Sequence, residues 1–159
     1  MRKQPKWSRR NILKGSAATL LYSGSKAVAA EGPDKIRIAQ IGTSHAHAAG
    51  KMAAVRKLSD IYDVAGIAEP IESEHAHARK NAAYRDLRWM TENELLNDRS
   101  IAAVIVETTL DDSPRAALAC IEAGKHIHLD KPGAASHADF ASLRTRAEQL
   151  KLTVQMGYM

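Results

Sequence analysis

The chain has 159 residues, of which 45% are hydrophobic and 26% charged, a composition typical of one globular domain. Its net charge of +5 comes from residues 1–30, which hold seven Lys or Arg and no acid, whereas the rest has 16 Lys or Arg against 18 Asp or Glu. This slightly acidic remainder gives no electrostatic basis for binding nucleic acid. The single cysteine excludes an internal disulfide framework.

Residues 1–30 have the layout of an export signal. A basic start precedes a weakly apolar run that ends in the small residues Ala27-Val28-Ala29-Ala30, as at a cleavage site. The run is too short and too rich in Ser and Gly to span a membrane, so no stable membrane insertion is expected. The adjacent Arg9 and Arg10 resemble a twin-arginine (Tat) signal, which implies export by the Tat machinery to the periplasm. A disordered basic N-terminus is the alternative.

Strands and helices alternate along residues 31–159, which we expect to form one domain. Apolar or β-branched runs predict strands at 35–41, 62–68, 101–106, 126–129 and 152–156, with a weaker sixth at 84–90. Helical patterns fill the intervals, and three of the helices are predicted to begin at the capping residues Thr91, Ser113 and Ser136. This alternation predicts an α/β fold with a doubly wound parallel sheet.

The turn after the first strand is a candidate phosphate site. It contains Gly42 and leads directly into a helix, so backbone N–H groups around Ser44 to His47 and the helix dipole are expected to face a bound pyrophosphate. Only Gly42 fits the Gly-x-Gly-x-x-Gly pattern, because Ser44 and His47 occupy the other two glycine positions. An ordinary strand-to-helix turn is the alternative.

Two further strand ends carry charged residues. Glu69 follows the second strand, where a carboxylate can accept hydrogen bonds from both ribose hydroxyls and repel a 2′-phosphate, which favours NAD over NADP. Asp130-Lys131-Pro132 follows the strand at 126–129, and ligands of open parallel sheets bind outside such strand ends. Lys131 is therefore a candidate reactive group. A solvated acid and a plain surface turn are the respective alternatives.

The sequence also contains three His-x-His pairs. On a strand the two members of such a pair share a face and can hold a metal, whereas on a helix they point in nearly opposite directions. No cysteine or third ligand lies at a recognisable spacing from any pair, so no metal site is expected. The pairs are His45/His47, His75/His77 and His126/His128.

The segment Glu122-Ala-Gly-Lys-His-Ile-His-Leu-Asp-Lys-Pro132 resembles a signature of the Gfo/Idh/MocA oxidoreductase family. In that family an Ala-Gly-Lys-His-Val stretch leads into Glu-Lys-Pro, and Asp130 here takes the place of the glutamate. With the glycine turn, Glu69 and the twin-arginine leader, the resemblance covers residues 35–159. It implies a Rossmann fold that binds NAD, with NADP less favoured.

The resemblance also implies roles for individual residues. Lys131 would be the catalytic lysine, beside the nicotinamide and hydrogen-bonded to the substrate hydroxyl, and Pro132 would fix its turn. The residues implied to bind the cofactor are Gly42, Thr43, Ser44, His45, Glu69, Thr108, Thr109, Asp130, Lys131 and Pro132.

Members of the family continue into a second α/β domain that supplies most substrate contacts and much of the oligomer interface. The sequence does not contain that domain, so we interpret the chain as a fragment or truncated form of a longer enzyme. For the full-length form the resemblance implies NAD(P)-dependent hydride transfer at a sugar or polyol hydroxyl, in a possible homo-oligomer. Two alternatives stay open: an NAD-dependent glycosidase of the same superfamily, and a non-catalytic nucleotide-binding remnant.

Overall fold

The computed structural model describes residues 35–157, and the predicted signal peptide lies outside them. Five strands form one sheet: β1 (Ile36–Ile41), β2 (Tyr62–Ala68), β3 (Ala103–Val106), β4 (His126–Asp130) and β5 (Val154–Gly157). The helices are α1 (Ala48–Lys57), α2 (Glu72–Ala78), α3 (Glu92–Asn97), α4 (Ser113–Glu122) and α5 (His137–Leu150), with a 3₁₀ turn at Ala82–Tyr84. Within the described residues, no helix combines the length and apolarity needed to cross a membrane.

The sheet is parallel throughout, with the strand order β2-β1-β3-β4-β5. The predicted doubly wound α/β fold is therefore confirmed. The chain proceeds from β1 to β2 in one direction and from β3 to β5 in the other, so the order reverses between β1 and β3. In open sheets of this kind, ligands bind at that switch point, outside the carboxyl ends of the strands.

Alternate residues of the central strands face a core on one side of the sheet. Ala39, Ile41, Val104, Val106 and Leu129 are each at most 1% exposed and belong to one cluster with the buried residues of α4 and α5. The two-residue period of a strand places these side chains on one face, so the helices after β3 and β4 cover that face.

Residues 35–157 cover the opposite face only in part. Met52 of α1 and Ile67 of β2 are buried there in a second cluster. Beyond α1 a mostly apolar cleft of about 620 Å³ runs across β1, β3 and β4. We call this cleft the open sheet face; the residues that line it include Ile36, Ile38, Val55, Ala103, Ile105 and His128.

The prediction of a strand at 84–90 is wrong. Asp86 has φ +63°, which turns the chain, and only the residues after it run beside β2. A single parallel bridge joins Trp89 to Ile67, with hydrogen bonds from the Ile67 amide to the Arg88 carbonyl (2.9 Å) and from the Met90 amide to the Ile67 carbonyl (3.0 Å). The segment therefore lies where a sixth strand would lie but forms one bridge only.

Two of the three predicted helix starts are confirmed. Thr91 and Glu94 form a complete capping box, and the Ser136 hydroxyl accepts from the Asp139 amide at 3.1 Å. The prediction that Ser113 caps α4 is wrong, because Ser113 is the first helical residue and its N-cap is Asp112. The buried Ser113 hydroxyl instead donates to the Gly133 carbonyl at 3.4 Å, which ties α4 to the turn after β4.

Candidate active site

The glycine turn after β1 lies at the switch point and brings backbone close to backbone. Gly42 has φ +83°, a left-handed conformation that favours glycine. A Cβ atom at this position would lie 2.7 Å from the Thr108 amide nitrogen and 2.8 Å from the Glu107 carbonyl carbon. The turn can therefore pack against the end of β3 only with glycine at this position.

Some backbone N–H groups of the turn are already engaged. The His45 amide donates to the Glu107 carbonyl at 3.1 Å, and the His47 amide donates to Nδ1 of His45 at 3.3 Å. These two amides therefore bond to protein acceptors here, and a pyrophosphate contact from them stays a prediction. The Thr43 and Ser44 amides have no acceptor among residues 35–157, and within the same part of the chain the buried Ser44 hydroxyl has no partner.

These unengaged donors fit a dinucleotide pyrophosphate. A phosphate oxygen is the kind of acceptor that would satisfy the amides of Thr43 and Ser44 and the Ser44 hydroxyl together. The first turn of α1 carries no acidic residue and its N-cap makes no side-chain hydrogen bond, so the positive end of the helix dipole is available to an anion. The predicted phosphate turn therefore offers unengaged donors at Thr43 and Ser44, whereas the amides of His45 and His47 already bond to protein acceptors.

Glu69 lies beside this turn, at the end of β2. Its Oε1 accepts from the Ile71 amide at 2.9 Å, and its Oε2 accepts from the Thr43 hydroxyl at 2.6 Å. The carboxylate is half-buried and held in position from both sides. The structure thus brings the predicted ribose carboxylate and the predicted phosphate turn together.

The turn after β4 faces the same edge. Asp130 ends β4 and is 5% exposed, whereas Lys131 and Pro132 are exposed and joined by a cis peptide bond. Asp130, Lys131, Pro132 and Thr108 line a cleft of about 50 Å³. Thr109 is exposed and does not line it. The structure therefore places Thr108 beside the predicted catalytic lysine and leaves Thr109 outside the cleft.

Behind the turn, Lys51 joins two buried carboxylates. Its Nζ lies 2.7 Å from Glu107 Oε1 and 2.7 Å from Asp130 Oδ2, and its side chain is 12% exposed. Burial raises the pKa of Glu107 to about 7, although the hydrogen bond from Lys51 opposes this rise. Burial acts in the same direction on Asp130, but hydrogen bonds from Lys51, His47 and the Lys131 amide hold the pKa of that carboxyl well below its usual range.

Two histidines of the glycine turn complete this group. Nδ1 of His45 and Nδ1 of His47 each lie 2.9 Å from Asp130 Oδ2, and their ring centroids are 4.9 Å apart. Burial lowers the pKa of His45 even though Asp130 acts to raise it. We call the five residues the polar cluster: His45, His47, Lys51, Glu107 and Asp130.

Glu107→Gln should change how the stability of the chain depends on pH. The pKa of about 7 in the folded chain exceeds the ordinary 4.5, so unfolding releases a proton in this interval, and Glu107 lowers stability as the pH rises through it. In urea denaturation, the free energy of unfolding of wild type minus that of the variant should fall by up to about 3 kcal/mol between about pH 4.5 and about pH 7.

Burial lowers the pKa values of His45 and His128, so these two residues make the free energy of unfolding rise with pH instead. The stability that they contribute in the neutral form is lost as the pH falls below 6.5. Both histidines are present in wild type and variant, so their effect cancels in the difference. A difference that stays constant across the interval would show that Glu107 is ionised in the folded chain throughout.

Sequence reasoning missed Lys51, Glu107 and the contact that His47 makes. Two weak signals exist: Lys51 follows His47 by four residues, which is the spacing of neighbours on one helix face, and Glu107 directly follows a continuous apolar strand. Neither signal identifies a partner. His47 and Asp130 are 83 residues apart and Lys51 and Glu107 are 56 apart, so only the fold brings them together.

Several solved structures share this fold. A biliverdin reductase from Synechocystis, in complex with biliverdin and NADP+, is 23% identical with a TM-score of 0.64, over 76% of this chain and 37% of its own. The WlbA dehydrogenase from Chromobacterium violaceum, in complex with NADH and UDP-GlcNAcA, is 22% identical with a TM-score of 0.66. The match covers 77% of this chain and 35% of the dehydrogenase. An NAD-binding protein from Listeria innocua is 18% identical with a TM-score of 0.65, and the match covers 77% of this chain and 35% of that protein.

At these identities the likeness establishes the fold, and the chain spans about a third of the length of the three structures. A search of curated protein sequences gave no match. The family model of the Gfo/Idh/MocA proteins, described as an oxidoreductase family with an NAD-binding Rossmann fold, matches residues 36–158. This match agrees with the parallel sheet, its switch point and the glycine turn, and the chain therefore belongs to the Gfo/Idh/MocA oxidoreductase family, of which it contains the NAD-binding domain.

Proposed function

We propose that this chain is the nucleotide-binding domain of an oxidoreductase that transfers a hydride between NAD and a hydroxyl-bearing carbon of a sugar or polyol. The observation that carries the proposal is the arrangement at the switch point. The glycine turn, Glu69 and Lys131 come from the ends of three different strands and meet at one edge of the sheet.

The residues present would hold the cofactor from two sides. Thr43 and Ser44 would bind the pyrophosphate, and Glu69 would accept from the adenosine ribose, while Thr108 would lie near the nicotinamide. When bound, the nicotinamide ring supplies the hydride acceptor or donor. Lys131, exposed beside the 50 Å³ cleft, would donate a hydrogen bond to the substrate oxygen and stabilise the negative charge that develops on it.

The preference for NAD over NADP rests on Glu69. The solved relatives include a complex with NADP+ and one with NADH, so fold membership does not determine the choice. The Glu69 carboxylate is held by the Ile71 amide and the Thr43 hydroxyl, so it cannot turn away from a 2′-phosphate without breaking both contacts. Its negative charge would repel that group at close range.

Glu69→Gln tests this assignment. The variant loses the charge that binds ribose hydroxyls and repels a 2′-phosphate, so we expect about tenfold weaker NAD+ binding or more, and a smaller preference over NADP+. Isothermal titration of the 159-residue chain with each nucleotide measures both. Glu148→Gln, an equal charge change on the exposed end of α5, should leave both affinities unaltered. An unchanged NAD+ to NADP+ ratio in Glu69→Gln would remove Glu69 from the ribose site.

We also propose export of the folded protein to the periplasm through the Tat machinery. A nicotinamide cofactor is scarce outside the cytoplasm, and this route carries folded proteins, so the cofactor could be bound before export. The sequence support is the Arg9-Arg10 pair followed by a weakly apolar run.

Changing Arg9→Lys together with Arg10→Lys should therefore keep the protein in the cytoplasm of a Tat-competent bacterium, as measured by cell fractionation. Charge is conserved in this variant, so the arginine pair itself is tested. The matched control, Arg2→Lys with Lys3→Arg, should leave export intact. Normal export of the Arg9/Arg10 variant would exclude the Tat route.

A further inference from the structure

One oxygen of Asp130 has an unusual set of nitrogen neighbours. Asp130 Oδ2 lies 2.7 Å from Lys51 Nζ and 2.9 Å from Nδ1 of both His45 and His47. The Asp130 side chain is 4% exposed, so these neighbouring side chains rather than bulk water surround it. Two imidazoles therefore turn the same nitrogen toward one buried carboxylate oxygen.

Hydrogen bonding alone does not satisfy this arrangement. A neutral imidazole nitrogen either donates or accepts. Nδ1 of His45 accepts from the His47 amide at 3.3 Å, so it presents a lone pair while lying 2.9 Å from Asp130 Oδ2, which His47 Nδ1 already bonds. Two lone pairs at that distance repel each other, whereas a cation at this position would bind the lone pairs of the nitrogens and the oxygen together.

Glu107 supplies an independent observation. Its side chain is 0% exposed, and its Oε2 atom has no hydrogen-bond partner in the described part of the chain. That oxygen lies 3.5 Å from Nδ1 of His45, on the side where the two histidines and Asp130 meet. An unpartnered carboxylate oxygen inside a protein is costly, and a bound cation would satisfy it.

We propose that His45, His47 and Asp130, with Glu107 as a fourth ligand, form a binding site for one divalent cation of the zinc class. The ligand atoms of the first three already lie within 4.8 Å of one another. A tetrahedral ion with bonds of about 2.0–2.1 Å separates its ligand atoms by about 3.3 Å, so the contacts of 2.9 Å need to open by only a few tenths of an ångström. Imidazole nitrogen with carboxylate oxygen is a donor set that suits zinc.

The charges in the polar cluster agree with this assignment. Once Glu107 is ionised, two carboxylates face one ammonium, which leaves a buried excess of negative charge. Lys51 can stay on Glu107 Oε1 at 2.7 Å, because the proposed ligand is the other oxygen, Oε2. A divalent ion would thus replace the contact of Lys51 with Asp130 and no other contact of that lysine.

The position of the site gives the ion access to a ligand. His45 and Asp130 also line the 50 Å³ cleft beside Lys131, which has room for a water or a hydroxyl oxygen. Zinc sites that keep an exchangeable position have three protein ligands. Glu107, whose Oε2 lies 3.5 Å from Nδ1 of His45, is the ligand that such an oxygen would displace. The site does not depend on hydride transfer, and its test uses the metal alone.

The test is titration of the chelator-treated 159-residue chain with Zn²⁺ by calorimetry and with Co²⁺ by absorption spectroscopy. We expect one ion per chain and the intense visible bands of tetrahedral Co²⁺. His47→Gln and His45→Gln should each weaken Zn²⁺ binding by at least about tenfold. His77→Gln, at an exposed position of α2, is the matched control and should bind Zn²⁺ like wild type.

Urea denaturation of each variant shows whether it is folded, and the wild-type titration tests the proposal even if a variant is not. The absence of stoichiometric Zn²⁺ binding by wild type would overturn it. Equal affinity in wild type and in folded His45→Gln and His47→Gln would do so too. The same holds if His77→Gln loses as much affinity as they do, because the ion would then lie on the surface.

Discussion

Lys131→Ala should lower the turnover of a sugar or polyol by about 10²–10⁴-fold while leaving NAD binding nearly unchanged. The lysine is exposed at the end of β4 and makes no ion pair among the described residues, so its loss removes no packing or salt bridge from the fold. An interaction made only with the reacting oxygen acts on the transition state, so kcat and kcat/KM should fall together.

The measurement is NAD-dependent oxidation of a panel of sugars and polyols, with the longest form of the protein that shows turnover. Calorimetric titration with NAD+ then shows whether the cofactor still binds. Lys80→Ala, which removes an exposed lysine after α2, is the matched control and should keep full activity. Undiminished turnover in Lys131→Ala would refute the catalytic assignment, whatever the result for Glu69.

Lys51→Met should destabilise the chain by about 3–5 kcal/mol, the largest stability effect that we expect from one charged residue. Nζ of Lys51 lies 2.7 Å from oxygens of both Glu107 and Asp130, and the side chain is 12% exposed. Methionine fills a similar volume but leaves two buried carboxylates facing each other without a cation. Urea denaturation above about pH 8, where Glu107 with its pKa of about 7 is ionised in wild type, measures the loss.

Lys57→Met is the control, since Lys57 lies exposed in the last turn of the same helix, where a lysine contributes only about 0.3–1 kcal/mol through the helix dipole. Adding Glu107→Gln to Lys51→Met should recover part of the loss, because one of the two unpaired charges is removed. If the zinc proposal is correct, Zn²⁺ should also stabilise Lys51→Met more than wild type. A loss below about 1 kcal/mol for Lys51→Met would mean that the carboxylates are not both ionised.

The parts of this structure that follow from local sequence were predictable. Continuous apolar runs such as 101–106 mark strands buried on both faces, and the Thr91 and Glu94 capping box marks a helix start through contacts within four residues. The position of Lys131 was predictable too, because the strand-helix order places every strand end at one edge.

What could not be predicted depends on contacts between distant segments. The sequence pattern at 84–90 gives a weak strand signal, but the left-handed backbone at Asp86 turns the chain and only one bridge to β2 forms. Likewise, Ser113 suits an N-cap, yet the Gly133 carbonyl, 20 residues away, takes its hydroxyl.

The polar cluster shows the same limit most clearly. The His45/His47 pair is visible in the sequence, but no third ligand lies at short spacing from it, because Asp130 belongs to another part of the chain. A sequence pattern can show that a carboxylate ends a buried strand; it does not show which cation the fold brings to it.

The open sheet face has a practical consequence for work with this protein. Ile36, at its edge, is 44% exposed, and the about 620 Å³ cleft beside it has a mostly apolar lining. We therefore expect dyes that become fluorescent on apolar surface to bind the native chain at this cleft. Their signal at low temperature reports this surface, and a high starting fluorescence in a melting experiment should not be taken as a sign of misfolding.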